Sequence, residues 1–145
     1  VEMDFRNAER EHDWHTWYLE HTTHLVRTVP GFTGTQRFRC LNTSSSPWIA
    51  LHEVAGPQVF ESAEYKGGGG PASTGDWAKE HINWHRNLFD GTMDTPDVAF
   101  DQHLLMAEGD SALPGAHEAR ATRLTAIGLT ARASGARSRW CAWEV

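Results

Sequence analysis

The spacing of apolar residues divides the first half of the chain into strand and helix patterns. Apolar side chains recur at helical spacing over residues 9–28, and the helix is expected to end before Pro30 because the residue preceding a proline avoids helical conformations. Alternating side chains predict strands on both sides of this helix, with a polar turn over residues 42–47. The predicted strands cover residues 1–6, 32–39 and 48–54.

The second half carries further helix and strand patterns. A short helix is predicted over residues 58–65, and a longer helix over residues 76–89. One stripe of the longer helix consists of Trp77, His81, Trp84 and Leu88, with His85 beside it. Further strands are predicted over residues 98–107, 123–131 and 139–145, with a loop or short helix over residues 108–121. The order of elements predicts one domain over residues 1–145, an α+β fold with a ferredoxin-like antiparallel sheet and helices on one face.

Composition limits the classes of partner. The 145 residues carry a net charge of −6 and a pI near 5.8, which argues against nucleic acid or an anionic membrane as the main partner. No apolar run is long enough to cross a bilayer. Cys40 and Cys141 lack metal-type spacing; a disulfide between them stays open, but a reduced, cytoplasmic protein is favoured.

Tryptophan and histidine are both abundant, with seven and nine residues. Tryptophan offers a large apolar surface with one donor, and histidine titrates near neutral pH, so together they suggest a pocket for a flat, apolar molecule with polar edges. An aromatic-rich core or subunit interface is the alternative. Four consecutive glycines at residues 67–70 lack the Lys-Ser/Thr ending of a phosphate loop and indicate a hinge or lid instead.

One segment of the first helix concentrates these residue types. Trp14, Tyr18, His21 and Leu25 share the predicted core stripe, and His21 also lies on the adjacent stripe. An imidazole at that border is either a hydrogen-bonded structural group or a proton-transfer group.

The segment WYLEHTTHLVRTVPGFTGTQRF resembles the signature of the EthD-like branch of the dimeric α+β barrel superfamily. The residues that carry the resemblance are Trp17, Tyr18, Glu20, His21, Pro30, Gly31, Phe32, Arg37 and Phe38. PWIALHEV and VFESAEYK resemble the strand and short helix that follow in that family, and RLTAIGLTAR is a weaker match, so the resemblance covers the first half well and the second loosely.

The resemblance implies a homodimer in which two sheets close a barrel, with a cleft for small hydrophobic molecules. Relatives include polyketide cyclases, lactone isomerases, cofactor-free monooxygenases and some haem proteins, so the fold does not select the reaction. Relatives often carry an aromatic residue at the position of His52, which gives this chain a second titratable group on a pocket-facing strand.

Candidate catalytic residues are His21 and His52 as an acid–base pair, with His85 as a third candidate and His81 behind it. Arg37 and Arg39 share a strand face and are candidates to anchor a carboxylate or enolate, and Arg39 or Tyr18 to stabilise oxyanion charge. Stacking surface in the substrate pocket is predicted from Trp17, Tyr18, Trp48 and Trp84. For each residue the alternative is a structural one: a hydrogen-bonded core histidine, a subunit salt bridge or plain core packing.

No metal and no cofactor are predicted. The chain lacks His-Glu-x-x-His, paired cysteines, a nucleophile elbow and a dinucleotide fingerprint. The leading hypothesis is a cofactor-independent isomerase, cyclase or lyase/decarboxylase that acts on a small apolar aromatic, polyketide-like or lactone substrate. The rivals are a zinc- or iron-dependent enzyme on the same fold, and a non-catalytic small-molecule-binding or dimerisation module.

Overall fold

The structure is a computed structural model, and it describes residues 1–41, 44–90, 98–99, 103–108, 125–126 and 139–144. It contains one α-helix, α1, within these ranges. The strands and this helix are, in chain order, β1 Glu2–Phe5, α1 Glu11–Thr28, β2 Phe32–Cys40, β3 Trp48–Val54, β4 His81–His85, β5 Phe89–Asp90, β6 Leu104–Glu108, β7 Thr125–Ala126 and β8 Arg139–Glu144. Short 3₁₀ helices cover Ala8–Arg10, Pro57–Glu61 and Pro71–Lys79, and a π-helical turn covers Tyr65–Gly69.

Six strands form one antiparallel sheet in the order β4-β1-β3-β2-β8-β6, and β5 pairs with β7 separately. The helix α1 connects β1 to β2, and β3 lies between these two strands. The four neighbouring strands β4-β1-β3-β2, together with α1, are consistent with a ferredoxin-like fold. The predicted α+β class is confirmed. Closure into a dimeric barrel stays a prediction.

The helix α1 forms because one stripe of its side chains is buried against the sheet. The buried residues are Trp14, Tyr18, Thr22 and Leu25. Thr22, rather than His21, occupies the third position of this stripe, and its hydroxyl donates to the carbonyl of Tyr18 at 3.0 Å. The helix ends as predicted, because Val29 before Pro30 has an extended backbone.

The helix predicted over residues 76–89 is wrong. This stretch contains the end of the 3₁₀ helix Pro71–Lys79, followed by β4 and β5. In β4, His81 lies opposite Phe5 of β1, and Asn83 has a φ of 49°, a left-handed conformation that does not fit an α-helix. Pairing with β1 satisfies backbone groups on both strands, and this tertiary gain outweighs the helical spacing of the side chains in this stretch.

A register shift in β2 changes which face Phe32 occupies. Strict alternation predicted Phe32 and Phe38 on the same face, but the pairing with β3 shifts between Phe32 and Gly34. Phe32 therefore packs with Leu25 on the α1 side. Phe38 packs on the opposite side in a cluster with Cys40 and Ile49. Cys40 is a free, buried thiol in this cluster.

The glycine run packs against α1. A Cβ atom added at Gly69 would lie 2.7 Å from Leu25 Cδ2 and 2.8 Å from Val29 Cγ2, whereas a Cβ at Gly67 would meet nothing within 4 Å. Gly69→Ala is therefore expected to lower the free energy of unfolding by about 1–3 kcal/mol, because it overpacks the core. Gly67→Ala is the matched control. Urea unfolding measures both variants, and equal stability of the two would contradict the close-approach explanation.

Candidate functional site

Two adjoining groups of side chains lie between α1 and the sheet. The first, here called the arginine cage, consists of Arg37 with Trp14, His15, Tyr18 and Trp48. The second, the imidazole cluster, consists of His21, His52 and His81. Each group combines residues of α1 with residues of the strands it covers, so neither exists until the helix packs on the sheet.

The guanidinium of Arg37 lies among three aromatic rings. Its Cζ atom is 4.0 Å from the ring centroid of Tyr18, 4.8 Å from that of Trp14 and 5.6 Å from that of Trp48. These are cation–π distances. Nη2 is buried and has no hydrogen-bond acceptor among the described residues. Burial lowers the pKa of Arg37, which nevertheless stays protonated at neutral pH.

His15 provides the acceptor that Arg37 does find. Arg37 Nη1 lies 3.2 Å from His15 Nδ1. A guanidinium has only donors, so Nδ1 must accept and the imidazole proton must reside on Nε2, which lies 3.9 Å from Glu11 Oε1. Burial, and then the charge of Arg37, lower the pKa of His15. A neutral imidazole therefore stands where a counter-ion would be expected.

Trp14 connects the cage to the imidazole cluster. The ring is fully buried and stacks on Phe5 with centroids 4.6 Å apart. Its Nε1 donates to Nε2 of His81 at 2.9 Å. Because that nitrogen accepts, the proton of a neutral His81 resides on Nδ1. Burial, and then the charge of Arg37, lower the pKa of His81.

His21 is half-buried and has a defined orientation. Its ring stacks on Trp17, with centroids 5.1 Å apart and planes 13° from parallel. Its Nδ1 lies 3.5 Å from Ser73 Oγ, and that hydroxyl donates to the carbonyl of Gly70 at 2.6 Å. A serine hydroxyl has a single hydrogen, so Ser73 accepts from His21 Nδ1–H. The lone pair of His21 is therefore on Nε2.

His52 projects from β3 toward the same side of the sheet. It lies directly opposite Thr35 of β2, and the Thr35 hydroxyl is 3.0 Å from His52 Nδ1. The ring of Phe32 contacts it edge-on, with centroids 5.8 Å apart. One imidazole nitrogen is thus engaged, and the phenyl ring of Phe32 covers part of the imidazole.

Both histidines are uncharged at neutral pH. Burial, assisted by His24 and His81, lowers the pKa of His21 to about 4. Burial, assisted by the Val1 ammonium and by His21, lowers the pKa of His52 to about 3. His21 and His52 are therefore close enough for the charge of one to affect the other.

Tyr18 is the residue of the arginine cage that borders His21 of the imidazole cluster. Its ring contacts Arg37, and its centroid is 6.1 Å from that of His21. Burial raises the pKa of Tyr18 to about 12, so its phenol stays protonated at neutral pH. In the sheet, Arg37 pairs with Ala50 and Thr35 pairs with His52. Arg37 and His52 are therefore diagonal neighbours on one face, and their Cα atoms are about 7–8 Å apart.

The remaining predicted residues are more dispersed. Trp17 lies beside His21 and also stacks on Trp77. Arg39 is exposed, with its Cζ 5.9 Å from the Trp48 centroid. Trp84 is 38 % exposed and contacts Arg86, outside the cage and the cluster. His85 is on β4 opposite Glu2 and not on a helix, so the predicted approach of two helical histidines is wrong for this residue.

Sequence reasoning missed three polar residues of this region: His15, Thr35 and Ser73. Thr35 had a usable signal, because it shares the Arg37 face of β2 and lies opposite His52. Ser73 had none, since it follows a glycine-rich segment whose path depends on packing. His15 falls beside the core stripe of α1, where only the position of Arg37 gives it a role.

A shallow depression of about 430 Å³ lies on the opposite, outer face of α1, lined by Leu19, Glu20, Thr23, His24, Arg27 and Thr28. It is open to solvent and separate from the cage. In the described ranges, no group of three or more His, Cys, Asp or Glu side chains is arranged to hold a metal ion. None of the helices in these ranges is long and apolar enough to span a membrane.

Comparison of the chain with protein-family models, with curated proteins and with solved structures found no match. The resemblance to the EthD-like branch and the enzyme class therefore stay predictions.

Proposed function

We propose that this chain is a cofactor-independent enzyme that moves protons on a small, flat, apolar substrate, with His21 as the principal base. The observation that supports this most directly is the orientation of His21. Its Nδ1 lies 3.5 Å from Ser73 Oγ, and the Ser73 hydrogen is donated to Gly70, so the tautomer that fits carries its proton on Nδ1 and its basic lone pair on Nε2. His52 is the second acid–base group, on the facing strand.

The lowered pKa of His21 is compatible with this role. An imidazole with a pKa of about 4 is fully neutral at pH 7, so every molecule is ready to accept a proton. Its basicity is weak in the empty protein, but a negative charge that develops on the substrate next to the ring would favour the imidazolium form and raise the pKa. Proton transfer and charge development on an enolate would then support each other.

The aromatic rings around the histidines favour a flat substrate. Trp17 already stacks on His21, and Trp77 stacks on Trp17. An aromatic, polyketide-like or lactone ring offers the same kind of surface. Where such a compound carries a C–H bond next to a carbonyl, that bond is acidic enough for a neutral base to remove the proton. Membership of the EthD-like branch, closure of a barrel with a second copy of the chain and residence in the cytoplasm belong to this proposal as well.

Deuterium exchange tests the proposal without knowledge of the full reaction. Phenylpyruvate and 2-coumaranone each carry an acidic C–H bond between a carbonyl and an aromatic ring, and benzoylacetate carries one between two carbonyls. In D₂O, the protein is expected to accelerate replacement of that hydrogen by deuterium above the rate in buffer, as followed by proton NMR. Exchange at the buffer rate for all three compounds would contradict the proposed function.

A further inference from the structure

We infer that the arginine cage is a binding subsite for a single carboxylate group. The ligand is then an aryl carboxylate with one negative charge, or an enolate of the same charge and similar shape. The inference deepens the proposed function, on which it rests only for the claim that this ligand is the substrate. Binding of an anion at Arg37 requires no proton transfer, and it can be measured separately.

Arg37 lacks a counter-ion among the described residues. No ion pair joins Arg37 to a carboxylate in the part of the chain that the structure describes, and its Nη2 has no acceptor there. Buried guanidinium groups normally pair with an anion, because an unpaired buried charge is unfavourable. The rings of the cage and the neutral His15 compensate only part of this, since neither carries a negative charge.

The aromatic rings do not surround the guanidinium evenly. Tyr18 is closest at 4.0 Å and Trp48 is most distant at 5.6 Å, so the cage is loosest on the Trp48 side. Arg37, His15 and Trp48 are each partly exposed, so solvent reaches this rim. Nη2 itself is buried, so binding of a carboxylate oxygen requires a side chain at this rim to move, and Trp48 is the ring that lies farthest from the guanidinium.

The arginine cage adjoins the imidazole cluster. Arg37 and His52 are diagonal neighbours on one face of the sheet, with Cα atoms about 7–8 Å apart. The guanidinium itself lies against Tyr18, so a carboxylate held there would place an attached ring next to Tyr18, whose ring centroid is 6.1 Å from that of His21.

Benzoate is the probe, and benzamide is its neutral isostere. Isothermal titration at pH 7, where benzoate is ionised, is expected to show saturable binding of benzoate and at least about tenfold weaker binding of benzamide, because a hydrogen bond to a charged group is worth about one to two powers of ten in affinity. Arg37→Gln should lose the preference for benzoate. Arg27→Gln, an exposed arginine on α1, is the control and should bind benzoate like the wild type.

A second readout identifies the location. The indole N–H signal of Trp48, assigned by its loss in Trp48→Phe, should shift when benzoate binds. If Arg37→Gln does not fold, Arg37→Lys replaces it: lysine keeps the charge but lacks the planar fork, so about fivefold weaker binding of benzoate is expected. Equal affinities for benzoate and benzamide in the wild type would overturn the inference, as would wild-type benzoate binding by Arg37→Gln or Arg37→Lys.

These outcomes separate the inference from the proposed function. Benzoate binding at Arg37 without deuterium exchange would support the subsite and contradict the enzyme. Exchange without preferential benzoate binding would support the enzyme and contradict the subsite.

Discussion

His21→Asn is expected to lower the rate of catalysed deuterium exchange at least ~100-fold while the protein stays folded, because the variant lacks the base. Asparagine is the informative replacement, since its side-chain amide can donate to Ser73 as His21 Nδ1 does but offers no basic nitrogen at the position of Nε2. The measurement is the exchange rate of the most active compound, with circular dichroism as a check of folding.

His12→Gln is the matched control, because His12 is an exposed histidine on the same helix. Its exchange rate should equal that of the wild type. A near-wild-type rate in His21→Asn would remove His21 from the mechanism, whereas equal losses in both variants would indicate a general effect on the helix.

The pH profile provides a more specific signature of the same base. Because burial lowers the pKa of His21 to about 4, the free protein keeps the imidazole neutral down to that pH. Catalytic efficiency should therefore stay level from neutral pH downward and fall tenfold per pH unit only below about pH 4. An unperturbed imidazole would instead give a fall that begins near pH 6.5.

Trp14→Ala is expected to destabilise the protein by about 3–5 kcal/mol, the usual range for removal of a buried tryptophan. The ring is 0 % exposed, stacks on Phe5 and donates to His81, so the truncation leaves both a cavity and an acceptor without its donor. Denaturant unfolding measures the change in the free energy of unfolding.

Two further variants divide this effect into its parts. Trp14→Phe keeps most of the ring but removes the Nε1 donor, and should cost about 1–2 kcal/mol, the value of a buried hydrogen bond. Leu19→Ala truncates an apolar side chain that is 65 % exposed on the same helix, and should change stability by less than about 0.5 kcal/mol. A Trp14→Ala protein as stable as Leu19→Ala would contradict the core position of Trp14.

The elements with local causes could be predicted from the sequence. β3 covers the predicted residues, Trp48–Val54, because its side chains alternate without interruption. The end of α1 at Thr28 follows from Pro30, whose ring constrains the residue before it. Elements whose state depends on a partner were predicted less well: residues 81–85 became a strand because β1 pairs with them, and no local spacing reports that pairing.

The candidate site divides in the same way. The sequence by itself determined that Arg37 and Thr35 share a face of β2 and that Trp48, Ala50 and His52 share a face of β3, because side chains alternate along a strand. It also determined that α1 carries its aromatic and imidazole side chains on adjacent stripes, because of the helical period. Only the tertiary structure decided that these faces meet. The orientation of His21 depends on Ser73, 52 residues away in the chain, and the contact of Arg37 with His15 spans 22 residues. Such long-range contacts form when the helix, the sheet and the glycine-rich segment pack together. The resulting burial lowers the pKa of His21 and of His52, so both are neutral at pH 7. The same packing leaves Arg37 without a counter-ion among the described residues.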